Sequence, residues 1–429
     1  NYGLAETICS VALIFIMFYG GFGTNWNTAR PVLKQSICMS TLGVIFTALL
    51  TGLFCHYALG MSWLEGLLTG SVVGSTDAAS VFSILRSKKL NLKGGLASLL
   101  EIESGSNDPV SYMMTIIILT IMSVSSDISL PWMIAKQLLF GFGIGFGVAF
   151  LSSKLLSRIN FEINGMDAIL VIGTALFTYG FSSWLGGNGY LSVYIVGIVL
   201  GNSKILHKTS LVHFFDGITW LMQIAIFFVL GLLAFPSKIP SVALPAILIS
   251  VFMIIVARPV ATFLILSWFK TPVRQQLLVS WSGLRGAASI VFAIFVMSSG
   301  VVIEHDIFHI VFFVALFSVA VQGTLLPKIA DKLGLVDKED DSLVLKTFTD
   351  YQDDVDTKLL EVPVTEDDFY AGRLLREANI PEEVLIVMIK RHGETIIPRG
   401  STKIKVGDIL VVSSESFERF KSGQLKPPQ

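Results

Sequence analysis

The chain has 429 residues, of which 53% are hydrophobic and 15% are charged, and its mean hydropathy is +0.71. This composition is too apolar for a water-soluble globule and indicates a polytopic α-helical membrane protein. A formal net charge of −1 without any basic tract gives no support to nucleic-acid binding. Cys9, Cys38 and Cys55 lie in apolar segments without CxxC spacing, so we interpret them as small buried hydrophobic residues.

Apolar runs of about 20 residues predict eleven membrane-spanning helices, separated by clusters of Gly, Pro, Asn and Ser. They cover residues 4–22, 34–59, 63–86, 94–122, 132–157, 166–185, 189–203, 210–235, 241–268, 273–299 and 306–330.

Lys and Arg residues near the predicted helix ends are divided fourteen to two between the two sides of the membrane. The poorer side has Lys136 and Lys238, and the richer side has Arg30, Lys34, Arg86, Lys88, Lys89, Lys93, Lys154, Arg158, Lys204, Lys208, Lys270, Arg274, Lys328 and Lys332. The positive-inside rule makes the richer side cytoplasmic. The chain as given is therefore predicted to begin outside, with its polar tail in the cytoplasm.

The third predicted helix contains a polar interruption, Ser75-Thr76-Asp77, preceded by Gly70 and Gly74. Non-helical backbone at membrane depth is tolerated where it lines a water-filled cavity or is covered by protein. A charged side chain there costs about 2.5–3.5 kcal/mol on insertion scales, so it marks a site by default. A structural alternative is that Asp77 caps a half-helix that begins at Ala78.

The fourth predicted helix contains a second polar run, from Glu103 to Asp108. Glu103 and Asn107 are four residues apart, as are Ser104 and Asp108, so a helix places each pair on one face. Such a group of oxygen atoms suits a hard cation, and a carboxylate can bind a proton at the same place. The structural alternative is that Asp108, which precedes Pro109, caps the next helix.

The fifth predicted helix carries GFGIGFG at 141–147, which we interpret as close helix packing because the strand that a nucleotide loop requires is absent.

The tenth predicted helix carries Arg285 between two glycines, and this buried cation requires a carboxylate, either Glu103 or Asp108. Arg258 in the ninth predicted helix is either a second buried charge or a snorkelling side chain.

The six histidines show no HxxxH or HExxH spacing, and we interpret His305 and His309 as surface or core residues.

Helices three and ten are therefore both predicted to be broken, in corresponding positions. This pattern is typical of an inverted-repeat carrier whose site lies between the two breaks. Because the broken helix is fifth in the second repeat and third in the first, the repeat also predicts two helices before Asn1.

After Leu335 the composition becomes acidic, which predicts a linker over 336–358 following a membrane domain over 1–335. Residues 359–416 predict a small α+β domain, with short strands at LLEVPV, VLIVMIK, ETIIP and DILVVSS, one helix at AGRLLREAN, and turns at His392-Gly393 and Val406-Gly407-Asp408. A final tail covers 417–429. At about 60 residues the domain is small enough to suggest pairing with a second copy, and thus a homodimer.

These motifs resemble the NhaP-type branch of the monovalent cation/proton antiporters. The resemblance is based on Thr76-Asp77, the ExxxND run ending at Asp108, Arg285 between glycines, and Gln322-Gly323. It implies that Asp108 carries the cation or the proton and that Glu103 pairs with Arg285. The resemblance also implies that Thr76, Asp77 and Ser104 help to coordinate the ion. The predicted site further includes Asn107.

The tail from Glu361 to Ser414 resembles the C-terminal lobe of RCK (TrkA-C) regulatory domains, and members with this tail are associated with potassium/proton exchange and cell-volume control. The GxGxxG lobe of a complete RCK unit is missing, so NAD binding is not implied. Many relatives have an acidic residue in an early F-[DE]-G run, where this chain has Tyr19. A basic set in the tail would suit an anionic effector such as a nucleotide: Arg373, Arg376, Lys390, Arg391 and Arg399.

The sequence therefore predicts a dimeric antiporter of the bacterial inner membrane that exchanges K⁺ or Na⁺ for H⁺ and needs no cofactor. Because Asp108 has an amide neighbour and Glu103 is expected to be paired, one titrating carboxylate remains and exchange is predicted to be electroneutral. The alternative is a gated passive cation channel or sensor. A purely dimerising role of the tail is also open, and no nucleophile–base or cofactor motif supports an enzyme.

Overall fold

The structure is a computed structural model. It describes residues 2–88, 90, 92–123, 129–159, 165–205, 208–336, 358–365, 368, 370–378, 380, 384–391 and 394–414. The chain divides into a membrane unit, Asn1–Leu206 with Ser210–Val336, and a tail unit, Asp337–Gln429 with His207–Thr209.

The membrane unit is α-helical, and each of the eleven predicted segments is helical. Its elements are α1 Tyr2–Phe22, α2 Leu33–Leu59, α3 Trp63–Val72, α4 Ala78–Ser87, α5 Leu96–Met122, α6 Leu130–Leu156, α7 Met166–Trp184, α8 Gly189–Gly201, α9 Lys208–Leu233, α10 Pro240–Phe269, α11 Val273–Trp281, α12 Ala287–Ser298 and α13 Ile307–Lys332. Within the described residues, seven of these helices are long and apolar enough to cross a membrane: α1, α2, α6, α7, α9, α10 and α13.

Both predicted breaks are present. The third segment is divided into α3 and α4, and the tenth is divided into α11 and α12. The helix that precedes each broken pair contains a wider π-helical turn, Met39–Gly43 in α2 and Met253–Ala257 in α10. The same irregularity therefore recurs at equivalent places in the two halves, as an inverted repeat requires.

Glycine allows close packing around α8. A side chain at Gly197 would collide with the backbone of α1 at Phe18, and one at Gly145 would meet Ser192 and Ile195 of α8 at 3.1 Å. The prediction that the GFGIGFG run is a packing face is thus confirmed for Gly141 and Gly145. Gly143 and Gly147 face open space.

The tail unit contains a four-stranded antiparallel sheet of β1 Lys358–Pro363, β2 Val384–Arg391, β3 Glu394–Ile396 and β4 Ile409–Ser414, in the order β1-β4-β2-β3. Its core includes Ile389, Ile404 and Leu410. The predicted strands and the turn at Gly407, where φ is +88°, are confirmed. The predicted turn at His392-Gly393 lies outside the described residues.

The helix predicted over AGRLLREAN is wrong, because the described part of this segment has turns and one 3-10 turn, Leu375–Glu377. Gly372 has a left-handed φ of +78°, which an α-helix does not allow. The N–H groups of Gly372 and Leu375 donate to the carbonyls of Ile404 and Thr402. Their hydrogen bonds therefore go across to the 400–404 segment instead of along a helix.

Candidate functional site

The two broken helices meet at their breaks. The backbone N–H of Asp77, just before α4, donates to the carbonyl of Leu284, between α11 and α12, at 2.8 Å. Helix breaks leave unpaired carbonyls where α3 ends and unpaired N–H groups where α4 and α12 begin, with partial charges of opposite sign. The crossing therefore brings four helix ends into one buried region.

A side chain of opposite charge lies at each kind of helix end. Arg285 Nη1 donates to the carbonyls of Gly74 and Ser75 at 2.7 Å each, just beyond the end of α3. Asp77 accepts from Ser80, from its hydroxyl at 2.7 Å and its N–H at 3.3 Å, and so caps α4. The capping interpretation of Asp77 is correct, and a side chain at Gly286 would collide with its carboxylate.

The polar face of α5 lies against the first break. Asp108 accepts a hydrogen bond from the Ser75 hydroxyl. Asn107 Nδ2 donates to Thr76 Oγ1 at 2.5 Å, and the Ser104 hydroxyl donates to the Thr76 carbonyl at 2.6 Å. All five predicted site residues are therefore brought together: Thr76, Asp77, Ser104, Asn107 and Asp108.

The other proposed role of Asp108, as a helix cap, is wrong because α5 continues through Pro109 to Met122. The carboxylate is thus free of a capping role and faces Ser75 in the first break. Asn107 Oδ1 is also buried, and it has no hydrogen-bond partner among the residues that the structure describes. A carboxylate and an unpartnered amide oxygen, with hydroxyl and carbonyl oxygens of Thr76 beside them, form a donor set suited to a hard monovalent cation.

The predicted Glu103–Arg285 ion pair is wrong. Glu103 Oε1 lies 2.5 Å from Arg258 Nη2, and the two side chains are 1% and 2% exposed. Arg258 of α10 directly follows the π turn that ends at Ala257, and its partner Glu103 lies one turn before Asn107 in α5. Arg285 instead donates to the carbonyls at the end of α3. Because the Arg258 side chain is almost completely buried, it is a second buried charge and does not snorkel.

The second break is braced by α13. The N–H of Arg285 donates to Ser318 Oγ at 3.1 Å, and the Ser318 hydroxyl donates to Gln322 Oε1 at 2.6 Å. Gln322 Nε2 in turn donates to the carbonyl of Trp281 at the end of α11, at 3.2 Å. Ser318 and Gln322 lie in a π turn, Ser318–Gly323, and of these two only Gln322 carried a signal in the sequence. With Arg258 they border a cavity with room for about one water molecule.

Tyr19 donates its hydroxyl to Asp216 Oδ1 of α9 at 3.0 Å. Sequence reasoning missed Asp216. A signal was available, because Phe215-Asp216-Gly217 has the F-[DE]-G pattern in a different helix.

The basic residues of the tail do not form the predicted set. Lys390 pairs with Glu361 at 2.6 Å, and Arg391 makes two bonds of 2.7 Å to Asp408. The donors of Lys390 and Arg391 are thus used inside the sheet, which corrects their assignment to an anionic ligand. Arg373, Arg376 and Arg399 are exposed on the tail unit.

Comparisons with known proteins agree with this geometry. Residues 4–332 match the family model described as "Sodium/hydrogen exchanger, transmembrane", and residues 359–421 match the TrkA-C domain. The chain is 35% identical over 418 residues to the K⁺/H⁺ antiporter NhaP2 of Shewanella sp. (strain ANA-3), covering 96% of this chain and 72% of that one.

Two further matches are more distant. The chain is 33% identical to the K⁺/H⁺ antiporter NhaP of Alkalimonas amylolytica, with the same coverage. The solved structure of the sodium proton antiporter MjNhaP1 from Methanocaldococcus jannaschii matches with a TM-score of 0.70 at 23% identity, over 78% of this chain and 88% of that one. This match shows the fold.

The crossed broken helices with a buried carboxylate beside them define a cation/proton antiporter of the inverted-repeat class. The chain belongs to the sodium/hydrogen exchanger family and carries a TrkA-C domain.

Proposed function

We propose that this antiporter exchanges one K⁺, or one Na⁺, for one H⁺ at Asp108, and that Asn107, Ser104, Thr76 and Asp77 shape the cation site. The observation that carries this proposal is the contact between the polar face of α5 and the first break. One carboxylate that binds either ion makes the two compete, and competition at a shared site couples their movements. The K⁺/H⁺ relatives favour potassium as the cation.

The charges at the centre of the bundle support electroneutral exchange. Asp77, Glu103 and Asp108 face two cations, Arg258 and Arg285, so the group has a net charge of −1 when all are ionised. One bound K⁺ neutralises the group, and so does one proton on Asp108. The two loaded forms then have equal charge, and one full cycle moves no net charge across the membrane.

Asp108→Asn tests the carrier assignment, because an amide of the same volume preserves packing but cannot carry a proton or a full negative charge. In proteoliposomes, dequenching of a pH-sensitive dye after K⁺ addition should be lost in this variant, and Asp167→Asn at the start of α7 should behave as the wild type. In the wild type, apparent K⁺ affinity should weaken about tenfold per pH unit below the pKa of the carboxylate. Substantial exchange by Asp108→Asn would contradict the assignment, and K⁺ current without proton movement would favour a channel.

We further propose that the protein is a homodimer in the bacterial inner membrane, with membrane domain 1–335 and a cytoplasmic TrkA-C domain that regulates exchange. Its exposed arginines, Arg373, Arg376 and Arg399, would suit an anionic ligand such as a nucleotide. Truncation after Leu335 should then leave exchange intact but alter its response to pH or nucleotide. An unaltered response would indicate that the domain serves only dimerisation.

A further inference from the structure

Glu65, Glu304 and His305 meet at the end of the membrane unit where α3 and α13 begin. Glu65 lies in the first turn of α3, and the other two lie in the segment that joins α12 to α13. One ligand atom from each residue, two carboxylate oxygens and one imidazole nitrogen, all lie within 4.8 Å of one another. This cluster lies on separate residues from the transport site, and the function proposed above does not use it.

Glu65 is fixed in position by the backbone. The Ser62 hydroxyl accepts from Glu65 N–H at 3.3 Å, and Ser62 N–H donates back to Glu65 Oε2 at 3.4 Å, forming a capping box. Glu304 N–H donates to Glu65 Oε1 at 2.6 Å. The side chain is 4% exposed, so its carboxylate is preorganised and faces His305 and Glu304.

His305 Nδ1 lies 3.1 Å from Glu65 Oε2. In the metal-free protein a hydrogen on Nδ1, which the neutral imidazole can carry, donates to this carboxylate oxygen; a metal ion bound between the two atoms would replace that hydrogen. A tetrahedral ion with bonds of about 2.1 Å holds two ligand atoms about 3.4 Å apart. The separation of these two atoms is close to that value, and the Glu304 oxygen lies within 4.8 Å of both. Movement of the exposed Glu304 side chain would then complete the site.

The neighbouring polar groups are occupied elsewhere. His309 Nδ1 contacts Asp306 Oδ1 at 2.8 Å, and His309 Nε2 accepts from Phe235 N–H at 3.0 Å. Lys238 pairs with Asp306 at 2.9 Å. Among the residues that the structure describes, the candidate ligands are therefore three. Glu304 is exposed, so a fourth position would be open to water.

We propose that Glu65, Glu304 and His305 bind a divalent transition-metal ion of the Zn²⁺ type. An imidazole nitrogen with two carboxylates suits such ions, whereas Mg²⁺ and Ca²⁺ prefer oxygen ligands alone. Two carboxylates also balance the charge of the ion when His305 is neutral. The bound ion ties the first turn of α3, in one repeat, to the loop after α12, in the other.

The test measures Zn²⁺ binding to the full chain, purified without a polyhistidine tag and treated with a chelator. Equilibrium dialysis should find about one tight Zn²⁺ per chain, and Zn²⁺ should raise the melting temperature because it binds the folded state. Mg²⁺ at the same concentration should do neither. Glu304→Gln and His305→Ala should each weaken Zn²⁺ binding at least tenfold.

His213→Ala, which removes a histidine of α9 far along the chain, is the matched control and should bind Zn²⁺ as the wild type does. Glu304→Gln and His305→Ala are preferred to a change at Glu65, whose cap supports α3. Zn²⁺ binding that is equal in the wild type and in the double variant Glu304→Gln/His305→Ala would overturn the proposal. Equal weakening by His213→Ala would overturn it as well.

Discussion

Arg258 and Arg285 are both buried in the membrane unit, but they neutralise different partners. Arg285 bonds to the carbonyls that α3 leaves unpaired, whereas Arg258 forms an ion pair with Glu103. The sequence predicted that Arg285 needs a carboxylate, and this was wrong, because backbone carbonyls take its hydrogen bonds and the carboxylate of Glu103 pairs with Arg258. Which arginine reaches Glu103 depends on how α10 and the second break pack against α5, and the sequence carries no signal for that packing.

Replacing Arg258 by Met should destabilise the protein strongly, because Glu103 is then buried without a counter-charge. Breaking a buried pair in this way typically costs about 3–5 kcal/mol. We expect a large fall in the melting temperature of the purified protein. The double variant Glu103→Gln/Arg258→Met removes both charges and should recover part of the loss. A double variant no more stable than Arg258→Met alone would contradict the pairing.

Asp108 and Asn107 illustrate what helical spacing alone can predict. The spacing of Glu103, Ser104, Asn107 and Asp108 placed the polar atoms of α5 on one side, and these residues do face the first break or its surroundings. The competing cap at Asp108 was decided by the continuity of α5 through Pro109. Proline after aspartate fits both arrangements, so tertiary packing had to choose between them.

At the scale of elements, the close approach of the two breaks requires that residue 286 has no side chain. A Cβ there would overlap the Asp77 carboxylate, although the backbone itself, with φ −140° and ψ −151°, is open to other residues. Gly286→Ala should therefore separate the breaks and lower exchange at least tenfold. The control is Gly173→Ala in α7, where a Cβ meets nothing within 4 Å. Similar exchange rates in the two variants would show that the crossing tolerates a methyl group.

The sheet of the tail is joined to its turns by Asp408. Hydrogen bonds from Arg391 lower the pKa of Asp408 against the opposing effect of burial, and the N–H of Lys405 lowers it further. A lowered pKa means that this pair stabilises the fold above the unfolded pKa, about 3.9, and that the contribution is lost as pH falls through the folded pKa.

Asp408→Asn should consequently loosen the tail at neutral pH, with roughly tenfold faster amide hydrogen exchange in β2 and β4. Lys403→Gln is the control, because its side chain has no role in this network and only its carbonyl accepts from Arg391. In the wild type, protection should be constant between pH 6 and 9. A loss of protection within that range would show that another group controls the stability of the sheet.

At the scale of the whole molecule, composition and hydrophobic periodicity predicted all eleven segments, and the glycines beside charged residues located both breaks. A helix was wrongly predicted in the tail because LLRE has helical propensity, whereas Gly372 and the hydrogen bonds to residues 400–404 determine the backbone. The cluster of Glu65, Glu304 and His305 was missed because Glu65 lies 240 residues before His305 in the sequence. Only the approach of the two repeats brings them together.

At the centre of the proposed function, one carboxylate serves one cation and one proton, so that the cycle would move no net charge. Its most direct test is proton flux in proteoliposomes with equal K⁺ and equal pH on both sides, while a thiocyanate gradient imposes a membrane potential. A K⁺ gradient applied to the same vesicles without a potential confirms that the protein is active. We expect proton movement under the K⁺ gradient and none under the potential alone. Proton flux that follows the sign of the potential would contradict electroneutral exchange.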